Sequence, residues 1–77
     1  MREQLLAILE REWPEIDFCG SDKLITNGIV DSITLMLVIS TLGKEFGIRI
    51  PYEEITEANF NSVDAMAAMV ERLAGGK

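Results

Sequence analysis

The residue whose type and setting could do chemistry is Ser32. It stands in the stretch NGIVDSITLMLVIS, Asn27 to Ser40, directly after an acid, Asp31, and directly before a long apolar run. A serine nucleophile needs a base to take its proton, most often histidine. The chain has no histidine, no lysine follows Ser32 at Ser-x-x-Lys spacing, and IVDSI is not Gly-x-Ser-x-Gly. These residues argue against a hydrolase. A calcium loop starting at Asp22 breaks its ligand spacing at once and has no closing Glu. Neither a metal-ligand cluster nor a phosphate-cradling glycine loop is visible. Cys19 is the single cysteine, so no internal disulfide can form, and without a histidine partner it reads as a small apolar filler.

A hydroxyl at the first turn of a helix has other uses. It sits at the positive end of the helix dipole, where a phosphate joined to its oxygen is stabilised by the field and by unpaired N–H groups. Ser32 could thus be the attachment point of a phosphate-linked group. It could equally be a simple phosphorylation site, or a plain first-turn residue with no further role. On the residues alone all three readings stand.

The elements that would position Ser32 follow from composition and pattern. A chain of 77 residues fits one domain, 1–77. A domain this small buries roughly 60% of the surface its unfolded chain exposes, too little for a deep enzyme cleft on a stable scaffold. Thirteen acids against seven basic residues give a net charge of −6. Such a surface repels phosphate backbones, which argues against nucleic-acid binding, and it steers the chain toward basic patches on other proteins. The same charge would also serve solubility alone. The lone cysteine suits a reducing compartment. MREQLLAILEREW carries acids throughout and lacks a small-residue cleavage site, unlike a signal peptide. The apolar run Ile33 to Leu42 is far shorter than the ~20 residues of a membrane span. A cytoplasmic monomer is expected.

Leu5, Leu6, Leu9 and Trp13 recur at helical spacing, and Pro14 stops that helix near Trp13. A long irregular stretch follows, from Pro14 to Val30, with turn signals at Cys19-Gly20-Ser21 and Asn27-Gly28. The flanks of Asn27-Gly28 do not alternate, which favours a loop turn over a β-hairpin. Leu24, Ile25 and Ile29 are expected to fold this loop onto the core. Loops of such length in small domains are often functional. A second helix is predicted from Ser32 to about Phe46, with Asp31 as N-cap and Gly47 at C′. Pro51 opens a short helix, about Tyr52 to Glu57. Ser62 caps a last helix through Leu73, with Val63, Met66, Ala67, Val70 and Leu73 as its apolar stripe. The expected fold is all-α: a small four-helix bundle of three main helices and one short one, with a long first loop.

The second helix has two apolar faces. At about 100° per residue, Leu35, Val38, Ile39, Leu42 and Phe46 share one stripe, the core face. Burying each such side chain stabilises the fold by on the order of 1.5–3 kcal/mol. Ile33, Met36, Leu37 and Ser40 lie nearly opposite, about 160° away, and no charge interrupts that side until Lys44. Both faces could be buried within the domain, but a bundle this small can rarely cover a helix all round. Grouped exposed apolar residues mark interaction sites, and the flexible, polarisable Met36 suits several partners.

GIVDSITLM, with Ser32 after Asp31, resembles the Asp-Ser-Leu attachment motif of acyl and peptidyl carrier proteins. The resemblance covers nearly the whole chain: an opening helix, a long loop, Asp-Ser opening the second helix, EFGIRIP after it, and a last helix after NFNSV. The three-letter motif is weak alone. Its combination with Phe46-Gly47-Ile48-x-Ile50-Pro51 is specific. Ile33 replaces the commoner leucine.

The resemblance implies an acyl-carrier-protein-like fold and a carrier that catalyses nothing itself. A phosphopantetheinyl transferase would move 4′-phosphopantetheine from coenzyme A onto Ser32 in a magnesium-dependent reaction, with Asp31 part of the cofactor site. The arm's thiol would then carry an acyl or aminoacyl group as a thioester. An adenylating or acyl-loading enzyme and downstream synthases or transferases would dock on the second helix and first loop, at Gly28, Ile29, Val30, Ile33, Met36, Leu37 and Ser40. Fatty-acid-synthesis members usually carry several acids along this helix, whereas here only Glu45 appears, near its end. That departure brings the chain closer to peptidyl and D-alanyl carriers, with docking by apolar contact. The ending ITEANFNSVDAMAAMV is similar to discrete carriers of specialised-metabolite (polyketide or nonribosomal peptide) and aminoacyl-activation pathways. Two other readings remain: a helical interaction module without a prosthetic group, and a phosphorylation-controlled adaptor.

Overall fold

The first helix begins at once, because Leu5 and Leu9 have a core to enter and nothing in Arg2–Glu12 breaks the backbone pattern. The computed structural model describes residues 1–75 and is all-helical, with no strand among the described residues. Helix α1 spans Arg2–Glu12, α2 Ser32–Phe46, α3 Glu57–Phe60 and α4 Val63–Gly75, with 3-10 turns at Phe18–Gly20 and Tyr52–Glu54. Helix α1 ends one residue before Trp13, whose amide closes on the Leu9 carbonyl at 2.8 Å before Pro14 turns the chain away. The Trp13 ring then meets Phe18 edge-on, 6.5 Å between centroids, and ties the start of the loop to the helix it leaves.

Helix α4 is the spine of the core. Val63, Met66, Ala67, Met69 and Val70 are all buried on it, against Leu5 and Leu9 of α1, Val38 and Leu42 of α2 and Phe60 of α3. The expected stripe of α4 omitted Met69, which is fully buried. Helices α1, α2 and α3 all pack against α4, so the arc it buries is wider than that of a helix lying on a surface. Ser62 caps α4 as expected, its Oγ accepting the Ala65 N–H at 3.0 Å.

The short helix differs from its predicted place. Pro51 is extended (ψ 158°) and starts only a 3-10 turn, Tyr52–Glu54, which ends as Ile55 leaves helical geometry (ψ 83°). A better cap comes next: the Thr56 hydroxyl accepts the Asn59 N–H at 3.2 Å and opens α3 at Glu57. Asn59 ties the two pieces together, donating to the Glu54 carbonyl at 2.8 Å and to Glu54 Oε1 at 3.0 Å.

The first loop is more ordered than its composition suggests. Phe18 is buried from a 3-10 turn, while the neighbouring Cys19 is exposed, with Arg2 Nη2 3.9 Å from its sulfur. The reading of Cys19 as a core filler is therefore corrected: Phe18, far larger, takes the inward position. Leu24 is buried and Ile25 partly so, as expected, but Ile29 stays 42% exposed. Val30 goes inward instead, where the chain bends after Gly28 and the Val30 amide closes on the Leu24 carbonyl.

Candidate functional site

Ser32 is the first residue of α2, and its place is fixed from both sides. On the helix side Asp31 is extended (φ −85°, ψ 179°) and caps the helix twice. Its carboxylate accepts the Thr34 N–H at 2.8 Å and its carbonyl accepts the Leu35 N–H at 2.8 Å. The Thr34 amide, and next the Thr34 hydroxyl, hold the Asp31 carboxyl below its usual range. At the far end Gly47 adopts the left-handed conformation (φ +63°), a C′ geometry for which glycine is suited.

On the loop side the chain is tied down by Asn61, in the short link between α3 and α4. Its carbonyl accepts the Leu24 N–H at 2.8 Å. Its side-chain oxygen accepts the amides of Ile25 at 2.8 Å and Thr26 at 3.0 Å. The loop then turns through Asn27 and Gly28 (φ +74°), a loop turn as expected, and closes where the Val30 N–H donates to the Leu24 carbonyl at 3.0 Å. Val30, 3% exposed, is locked into the core two residues before Ser32. Asn61 is a positioning residue that sequence reasoning missed. It resembles any polar residue before a helix cap, and nothing local signals partners some 35 positions upstream.

The Ser32 side chain is exposed, and among the described residues no group is bonded to its hydroxyl. No base is at hand, so the chain does not activate its own oxygen. The site nevertheless suits a phosphate-linked group: the oxygen is accessible, at the positive end of a fifteen-residue helix. Of the first-turn amides the Asp31 carboxylate takes that of Thr34, while the Leu35 amide makes the first bond of the helix itself, so the helix field and the amides of Ser32 and Ile33 are what would act on an attached anion. A surface cleft of about 520 Å³, lined by Arg2, Phe18, Cys19, Lys23, Asn27 and Asp64 among others, does not include Ser32.

Beside Ser32 runs an exposed apolar stripe. Ile33 is 73% exposed, Met36 69% and Leu37 52%; Ser40 on the same side, and Gly28 and Ile29 in the loop, are exposed too. Val30 does not belong with them, since its side chain lies in the core. The opposite face of α2 goes inward, with Val38 and Leu42 buried and Leu35, Ile39 and Phe46 partly so. Glu45, the one acid within α2, is turned to α1 and paired with Arg11 Nη2 at 3.0 Å. The exposed stripe thus carries no acid.

No helix among the described residues is long and apolar enough to cross a membrane. Neither a curated protein nor a solved structure matches the chain significantly. A model of the phosphopantetheine attachment site matches residues 22–70, well over half of the chain. Members of that family are small helical bundles that bear 4′-phosphopantetheine covalently on a serine, act as carriers and not as catalysts, and interact with phosphopantetheinyl transferases and biosynthetic enzymes. With its all-helical fold and this match, the chain belongs to the phosphopantetheine attachment family of acyl and peptidyl carriers.

Proposed function

We propose that Ser32 is the serine that bears 4′-phosphopantetheine, and that the protein presents acyl or aminoacyl thioesters to successive biosynthetic enzymes. The observation that carries this reading is the exposed Ser32 hydroxyl at the start of α2, held by the Asp31 cap on one side and buried Val30 on the other. The bound group supplies a terminal thiol on which cargo rides as a thioester. The chain's own residues do the rest of the carrier's work. Ser32 offers the oxygen; with no base beside it, the hydroxyl proton must leave to the transferase. Asp31 keeps the first turn closed while the serine is approached, its carboxylate engaged by the Thr34 amide. Gly28, Ile29, Ile33, Met36, Leu37 and Ser40 form the docking surface for the transferase, the loading enzyme and the downstream synthases or transferases.

The stripe without acids supports recognition by apolar contact, in the manner of peptidyl and D-alanyl carriers. The corresponding pathways are polyketide or nonribosomal peptide synthesis, or aminoacyl activation. The single exposed thiol, Cys19, fits a reducing compartment, and we place the protein in the cytoplasm. The test is direct. The protein is incubated with coenzyme A, magnesium and a broad-specificity phosphopantetheinyl transferase, and its intact mass is measured. The expected result is a gain of one phosphopantetheine that Ser32→Ala abolishes. No gain, under conditions that modify a control carrier, overturns the assignment and leaves a helical interaction module.

A further inference from the structure

The exposed side of α2 is apolar near Ser32 and cationic at its far end. At about 100° per residue, Lys44 falls about 20° from Ile33, on the same stripe as Met36, Leu37 and Ser40. It lies about 18 Å from Ser32 along the axis at 1.5 Å per residue. Arg49 follows just past the Gly47 turn, and both side chains are exposed. Neither forms an ion pair among the described residues. Arg2, Arg11 and Arg72, in contrast, are each held by a carboxylate: Asp64, then Glu12 and Glu45, then Glu54. Lys23, in the first loop, is exposed and without an ion pair too, but Lys44 lies on the stripe itself and Arg49 just beyond its end, so in a chain of net charge −6 this end of the docking helix is left cationic.

We infer that the transferase surface covering this stripe is apolar opposite Ile33, Met36 and Leu37 and carries a carboxylate facing Lys44 and Arg49. This rests on the carrier reading and adds a direction to it. Apolar contact alone does not distinguish the two ways a helix can lie along a groove. A charge at each end does: Asp31 at the Ser32 end and Lys44 with Arg49 at the other give α2 opposite signs along its length. Partner charges complementary to these favour one alignment and penalise the reverse. The overall negative charge still draws the protein toward basic surfaces at long range, and the cationic end selects orientation on contact.

The test compares wild type with Lys44→Glu/Arg49→Glu and Lys44→Met/Arg49→Met as substrates of the same broad-specificity transferase. The readout is the rate of intact-mass gain at low and high ionic strength, with circular dichroism to show that each variant is helical. At low salt, kcat/KM for the charge-reversed protein is expected to fall about three- to tenfold, with the neutral variant in between, as exposed charge pairs allow. Near 1 M salt, where the screening length falls to about 3 Å, the three proteins should converge. If the reversed variant keeps pace with wild type at low salt, the inference fails while the carrier reading stands. If wild type itself gains no mass where a control carrier does, the carrier reading falls and takes this inference with it.

Discussion

Asn61 grips Thr26 on two edges: its Oδ1 accepts the Thr26 amide at 3.0 Å and its Nδ2 donates to the Thr26 hydroxyl at 3.0 Å. With the Ile25 amide on the same oxygen at 2.8 Å, one side chain between α3 and α4 holds the loop that leads to Ser32. In Asn61→Ala, two loop amides lose their acceptor. The Thr26 amide is open to solvent, but leaving the partly buried Ile25 donor unsatisfied costs about 1–3 kcal/mol. Urea denaturation should show that loss, and hydrogen exchange should show faster exchange at Ile25 and Thr26. A variant with unchanged stability and exchange would mean that water replaces Asn61 without penalty.

The Asp31 cap makes stability depend on pH in a known direction. Its carboxyl is held below the ordinary value of 3.8, chiefly by the Thr34 amide. A lowered folded-state value means that the unfolded chain takes up the proton first as pH falls. The stabilisation is therefore complete above about pH 4 and lost as pH drops through the lowered folded value. Asp31→Asn keeps a good capping side chain but cannot titrate. Its thermal midpoint should match wild type near neutrality and fall less steeply as pH drops below about 4. Parallel curves for the two proteins would show that the carboxylate contributes nothing through Thr34.

Two methionines on adjacent helices separate surface from core. Met36 is 69% exposed and Met69 fully buried. Met36→Glu should leave stability within about 0.5 kcal/mol of wild type, as for surface positions generally. The same change places a charge in the apolar stripe and should slow phosphopantetheine transfer about tenfold, the loss typical of a residue that anchors an interface. Met69→Ala should destabilise the fold by about 2–5 kcal/mol. Circular dichroism melts with a loading assay give both numbers for each variant. A collapse of the Met36→Glu fold would move that side chain into the core and remove it from the docking surface.

What the sequence made legible is what local chemistry controls. Asp31, Gly47 and Ser62 announce the ends of α2 and α4 because a cap acts within one turn, and the opposed stripes of α2 follow from its 3.6-residue period. The misplaced short helix marks the limit of that logic: Pro51 and Thr56 are both plausible openings, and Asn59, bridging to Glu54, favours the second. Asn61 and Val30 were harder still. The partners of Asn61 lie far away in the chain, and the inward turn of Val30, with Ile29 left outside, depends on where Asn61 holds the loop. Cys19 and Phe18 compete for one inward place, and only packing decides between neighbours.

The seating of Val30 also bears on how a cargo travels. With that side chain lodged in the core and its amide bound to Leu24, the root of any tether on Ser32 would be anchored to the bundle two residues upstream. The sweep of a cargo would then come mainly from the tether, about a centre on the bundle. An enzyme docked on α2, as proposed, would meet that centre from the helix that carries it. On the proposed reading, the depth of its tunnel, measured from where it docks, would be set against the length of the tether.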